Sequence, residues 1–248
     1  MIKFFRKIRQ QLFANNNLKI PASPAGRYFL YALGEIMLVV VGILLALQIN
    51  TWNNELQDRT LERSGLENLR TDLTIQKEII QEQIENEALI LTYIDTCSFY
   101  FTSTLSTESL YQLLINLASR QTFVSNKASF ENMGSTGGFV LIRNLELQNA
   151  IVRYYKQLDY TEAVVNNNNL FLIDNQFGSF VFNNDLKFRL SKNGLMDTDY
   201  ELNPEKLFTL KSQLEGRRKA SQSIQSICEL QLEATEKLIQ LINDELEA

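Results

Sequence analysis

The chain has no histidine. That removes the side chain whose charge changes nearest neutral pH, the commonest metal ligand, and every Ser-His or Cys-His nucleophile pair. Its two cysteines, Cys97 and Cys228, form no C-x-x-C pair, which excludes a thiolate zinc site and a thioredoxin-like motif. A four-carboxylate di-metal centre would want Glu-x-x-His pairs, and these too are missing. Three prolines and ten glycines are few for 248 residues. That scarcity favours long helices over a turn-rich β fold. These absences argue against an enzyme: no catalytic, cofactor-binding or metal-binding residue is expected, and no cofactor.

Acidic residues are absent from positions 1–27, which carry Lys3, Arg6, Lys7, Arg9, Lys19 and Arg27. Residues 51–248 hold 18 basic and 28 acidic side chains. A body this acidic is no partner for nucleic acid. Between the two lies Tyr28 to Asn50, 23 residues with one formal charge, Glu35. As a helix this run reaches about 34 Å, enough for a hydrocarbon core of about 30 Å. Ser23-Pro24 reads as an N-cap followed by proline in the first turn. Tyr28 and Tyr31 at one boundary and Trp52 at the other are placed as interfacial anchors. The run is too long for a cleaved signal peptide, and Ala46-Leu47-Gln48 is no small-x-small cleavage site. The expectation is an uncleaved signal anchor. The positive-inside rule puts residues 1–27 in the cytoplasm and 51–248 across the membrane, the periplasm of a two-membrane bacterium.

On a helical wheel Glu35, Gly42, Ala46 and Asn53 fall within about 40° of one another. Gly42-x-x-x-Ala46 lets two helix backbones approach closely in lipid, and an intramembrane carboxylate usually faces a partner or water. This face is the expected packing face, serving self-association or a membrane-embedded partner equally well. A blander reading stays open, in which Glu35 is protonated or reaches toward the headgroups.

Beyond the membrane, Leu66, Leu69, Leu73, Ile80, Ile84, Leu91 and Ile94 recur at helical spacings up to about Phe101. Glu82, Glu85 and Glu87 read as a solvated face. A short helix is expected over Glu108 to about Ala118. A second should end near Met133, with Gly134 as its left-handed C-cap, a turn at Gly137-Gly138, an extended piece at Phe139 to Ile142, and Asn144 as the next N-cap. The glycine cluster does not make a phosphate loop: no Lys-Ser/Thr follows Gly138 and no buried strand precedes it. From Asn144 the helical positions are Leu147, Ile151, Tyr154, Leu158 and Val165; Asn166 to Asn169 allows a break or kink. Leu170 to Leu190 reads as helix or a small hairpin, and Ser191 to Asn203 as a loop. The last helix follows Asn203-Pro204, with Leu207, Leu210, Leu214, Ile224, Cys228, Leu232, Leu238, Ile242 and Leu246 as its stripe. Gly216 and the polar residues Arg217 to Lys219 interrupt that stripe and allow a bend.

The fold class is therefore all-α: one N-terminal transmembrane helix continuing into an elongated antiparallel bundle. Its domains are a basic segment (1–27), a span (28–50) and a helical body (51–248) with a small distal cap at about 106–143. Three long helices are expected to run up, down and up. That layout separates Cys97 from Cys228 and favours two buried free thiols over a disulfide.

Two strings carry a resemblance. "MIKFFRKIRQ" with "YALGEIMLVVVGILLALQINTWNNE" resembles the N-terminus of a large family of uncharacterised bacterial single-pass membrane proteins, classed as a domain of unknown function. Its marks here are Gly34-Glu35-Ile36, Gln48-Ile49-Asn50 and Trp52-Asn53. "SFENMGSTGGFVLIRNLELQNAIVRYY", Ser129 to Tyr155, is similar to a second recurrent block, with Phe130 where tyrosine is more usual. The resemblance implies a membrane-anchored helical protein and no reaction.

The expected function is an interaction or assembly module at the outer face of the cytoplasmic membrane. Its partners would be membrane lipid and a second copy or a membrane protein. The alternative is a small-ligand sensor; with one span and 27 cytoplasmic residues, it would have to signal through a partner.

Overall fold

The computed structural model describes residues 24–100, 107–182 and 204–247. Every regular element among them is helical: α1 (Pro24–Tyr100), α2 (Thr107–Ala118), α3 (Ala128–Thr136), a 3₁₀ turn (Gly138–Leu141), α4 (Leu145–Asn168), a π-helical segment (Asn169–Gly178), α5 (Ser179–Phe182) and α6 (Pro204–Glu247). The all-α class expected from the glycine and proline scarcity is the observed one. The helix expected after Asn166 runs on to Phe182 and changes to π geometry at Asn169 instead of breaking. The loop at 191–203, residues 183–190 of the expected helix or hairpin, Ser23 and Asn203 before their prolines, and residues 1–23 of the basic segment lie outside the described residues.

Two compact units meet between Arg59 and Thr60, and α1 contributes to both. In the first, α1 is long and apolar enough to cross a membrane, and none of its most apolar window is buried.

The second unit is a bundle of four columns. In α1 the buried positions are Glu62, Leu66, Leu69, Leu73, Gln76, Ile80, Gln83, Glu87, Ile90, Ile94 and Cys97. In α6 they include Leu210, Leu214, Arg217, Ser221, Ile224, Cys228, Gln231, Thr235, Leu238 and Ile242. Both sets alternate spacings of three and four, so one face of each helix lines the core of the bundle. The two helices run antiparallel: Arg70 reaches Asn243, Lys77 reaches Glu236, and Glu87 reaches Arg217. The third column, α4 to α5, runs parallel to α1. Its start is tied to the end of α6 by Asn144 Nδ2 to Glu245, 2.7 Å, and its end packs with Leu110, Leu114 and Leu210.

Residues 107–143 form the second column, and here the expected layout is corrected. They do not cap one end; they return the chain along the whole bundle. Leu117 lies at Arg217, Asn126 at Gln76, Met133 against Gly65, and the Arg143 N–H donates to Glu62, 2.9 Å. The order is up, down, up, down, with α4 pointing the same way as α1 and α6 returning. Chain length explains it. From Glu62 to Tyr100 α1 rises about 57 Å. Two short helices and the non-helical residues 119–127 between them cover roughly 60 Å, because extended chain advances more than twice as far per residue.

That non-helical stretch needs partners for its backbone. The Phe123 N–H donates to Asn166 Oδ1 (3.1 Å), and Asn166 Nδ2 donates back to the Phe123 carbonyl (2.9 Å). Asn169 Nδ2 donates to the Gln121 carbonyl, Gln76 accepts from the Asn126 N–H, and Asp72 accepts from the Ser129 N–H. Lys127 is clamped between Asp159 and Glu162, and its hydrogen bond to Asp159 pushes its pKa up. Ser125 donates to Glu162 beside it.

The turn after α3 differs from expectation by three residues. Gly137, not Gly134, is left-handed (φ +75°), its N–H returning to the Met133 carbonyl. Gly134 lies inside the helix. Met133 is the anchor: it packs on Gly65, and a Cβ at Gly138 would meet Met133 at 3.4 Å. The chain therefore turns one step beyond Thr136. Phe139 to Leu141 belong to a 3₁₀ turn, not an extended piece. Asn144 is the N-cap as expected, accepting from the Glu146 and Leu147 N–H groups. Phe130 stacks on Tyr155 (4.0 Å) and meets Phe139 edge-on (5.1 Å), pinning α3 to α4.

Gly216 sits exposed inside α6, and a Cβ there would meet nothing within 4 Å. Gly216→Ala is expected to raise stability by about 0.5–1 kcal/mol through helix propensity alone. Urea unfolding of the detergent-solubilised chain measures it; a loss would mean that the position makes a close contact.

Candidate functional site

The core of the second unit is interrupted by a polar layer. The apolar side chains form two clusters. One holds Leu66, Leu73, Ile80, Ile151, Ile224 and Cys228; the other holds Ile90, Ile94, Leu114, Leu117, Phe177 and Leu214. Between them, at consecutive seam positions of both long helices, stand Gln83 and Glu87 from α1 and Arg217 and Ser221 from α6.

Arg217 and Glu87 have fully buried side chains. Arg217 Nε donates to the Leu117 carbonyl (3.0 Å) at the end of α2. Arg217 Nη1 donates to Ser221 Oγ (2.6 Å) and, at 3.4 Å, to Glu87 Oε2. Gln83 Nε2 donates to Glu87 Oε1 (3.1 Å). Burial pushes the Arg217 guanidinium pKa down, and Glu87 opposes that shift. Arg217 Nη2 has no protein partner. A buried ion pair held this loosely contributes little net stability, yet removing either member strands the other charge.

Two sequence expectations are corrected here. Glu87 does not share the solvated face of Glu82 and Glu85, which are exposed; it points into the core. Arg217 does not interrupt the buried stripe of α6, which is one continuous helix; it occupies the seam. The seam passes through Gln83, Glu87 and Ile90, leaving Ile84 and Leu91 only half-buried beside it. The signal was present as a strict three-four spacing, visible once polar residues are admitted to the pattern.

A second polar level lies nearer Glu62. Tyr154 Oη and Thr235 Oγ1 are 3.0 Å apart, and Thr161 Oγ1 donates to Gln231 (3.1 Å). Burial raises the Tyr154 pKa and, more strongly, that of Tyr155. Gln76 Nε2, Tyr155 Oη, Asn169 Oδ1 and Gln231 Nε2 have no protein partner.

The cysteines are free and buried, as expected, one in each apolar cluster. Burial pushes each thiol up to about 12, which makes both inert. Among the described residues no cluster of three or more Cys, Asp or Glu is placed to hold a metal ion.

In the first unit, Glu35, Gly42, Ala46 and Asn53 are all exposed, and a Cβ at Gly42 would meet nothing within 4 Å. Of the expected interfacial anchors, Tyr28 and Trp52 are exposed (78% and 62%), while the Tyr31 side chain lies outside the described set. The expected turn residues are brought together at the Glu62 end by the Met133 and Asn144 contacts. No family model, curated protein or solved structure matches this chain.

Proposed function

We propose that this chain is a membrane-anchored helical interaction module of the uncharacterised single-pass family it resembles. Its N-terminus would lie in the cytoplasm and its bundle in the periplasm of a two-membrane bacterium. One observation carries this proposal: a single uninterrupted helix, Pro24–Tyr100, supplies both an exposed apolar segment and the seam of a helical bundle. The basic positions before the span and the acidic balance after it support that orientation. The face of Glu35, Gly42, Ala46 and Asn53 is open along the span and is the surface through which a second copy packs.

Single cysteines at Gly42 or Ala46, in a background lacking Cys97 and Cys228, are expected to give disulfide-linked dimers in native membranes. Cysteines at Val40 and Leu44 should give far fewer. Equal yields at all four positions, or monomer throughout, would refute self-association by this face.

The buried polar atoms without protein partners favour a second reading, a small-ligand sensor that signals through a partner. Native mass spectrometry of the purified chain separates the two. A retained small molecule of constant mass supports the sensor; a bare homo-oligomer supports the interaction module.

A further inference from the structure

We propose that the Gln83–Glu87–Arg217–Ser221 layer is a hinge line across the bundle. The half beyond it opens as a unit while the half toward Glu62 stays folded. That opening half comprises Ile90–Tyr100 of α1, α2, α5 and the start of α6.

All four columns change character within one oblique band: Arg218 pairs with Asp95, so Arg217 leans roughly two turns along α1 to reach Glu87. In α1 and α6 the apolar seam gives way to Gln83, Glu87, Arg217 and Ser221. In the second column α2 ends at Ala118, directly after the Leu117 carbonyl that receives Arg217. In the third, α-helix gives way to the π-helical segment, whose Ile173 belongs to one apolar cluster and Phe177 to the other. Gly216, the least helix-favouring residue available short of proline, sits beside Arg217. Apolar burial is the main cohesive term in a bundle, and here it is not continuous across the layer. The layer itself adds little, since its ion pair is long and one guanidinium nitrogen lacks a protein partner. Units of separate cooperativity within one fold have this construction. The opened half would present the apolar face of Leu110, Leu114 and Leu117.

Native reporters test it, because Cys97 lies in the opening half and Cys228 in the other. The full chain in detergent micelles, as Cys97→Ala and Cys228→Ala variants, is treated with Ellman's reagent over a range of sub-denaturing urea. Cys97 is expected to react about tenfold faster than Cys228 or more, with a shallower urea dependence, as sub-global opening requires. Equal rates with equal urea dependence would overturn the hinge. Simple fraying is separated by amide exchange on the unmodified chain. A step in protection between Gln83 and Ile90, matched between Leu214 and Ser221, supports the hinge; a smooth decline toward Tyr100 overturns it. In the Glu87→Leu/Arg217→Met double variant Cys97 should react about tenfold more slowly. An unchanged Cys97 rate in that folded variant also overturns it.

Discussion

Replacing Arg217 alone with methionine is expected to weaken the bundle by about 3–5 kcal/mol, one of the largest effects of any single substitution in this chain. The methionine would fill most of the guanidinium's volume, so lost packing is not the main cause. What remains is Glu87, fully buried, with Gln83 as its one remaining neutral donor in the layer. The Leu117 carbonyl and Ser221 hydroxyl lose their partner in the same step. Glu87→Gln should also destabilise, because it leaves a buried cation without its counter-charge. Combining Glu87→Leu with Arg217→Met should reverse the loss, giving stability equal to the unmodified chain or above it by up to about 4 kcal/mol. Urea denaturation in mild detergent, followed by far-ultraviolet circular dichroism, yields the complete double-mutant cycle. If Arg217→Met cost less than about 1 kcal/mol, the guanidinium would not be desolvated as the geometry requires.

That pair explains which parts of the structure were legible in the sequence. Helix existence was legible because Leu66, Leu69, Leu73, Leu147, Ile151 and Leu158 all face the core and recur at helical spacing. Asn144 was legible as a cap because a side-chain acceptor before a periodic run has a local role, satisfied two and three residues later. Glu87 and Arg217 were not. A charged residue defaults to the surface, and its burial depends on a partner 130 positions away that local pattern does not reveal. The direction of α4 was missed for a related reason. Residues 107–143 have too little helical continuity to read as a return path, yet extended chain covers the distance with few residues. The left-handed glycine was placed at Gly134 instead of Gly137 because each follows a helical residue and both are conformationally free. The contact of Met133 with Gly65 decides between them, and that contact is tertiary.

The asparagine run 166–169 was visible as an anomaly, and its structural use leads to the second large effect. Asn166→Ala is expected to cost about 2–4 kcal/mol even though alanine is the better helix former. The side chain of Asn166 acts as a strand would, accepting from the Phe123 N–H and donating to the Phe123 carbonyl. Truncation strands two backbone groups at a residue whose own ring is buried in the core, at about 1–3 kcal/mol each. Helix propensity returns at most about 0.7 kcal/mol. For a domain of this size the melting temperature should fall by about 4–16 °C. Asn169→Ala, which loses one such bond to the Gln121 carbonyl, should cost roughly half as much. Asn166→Asp supplies the control. It keeps an acceptor for the Phe123 N–H but sets a carboxylate against the Phe123 carbonyl, so it should be no milder than alanine at pH 7. Hydrogen exchange at the Phe123 amide should accelerate selectively in Asn166→Ala, which loses the acceptor, and less in Asn166→Asp, which keeps one. If Asn166→Ala left that amide as protected as before, the extended segment would be held by its side-chain packing, and the asparagine run would have no part in returning the chain to Glu62.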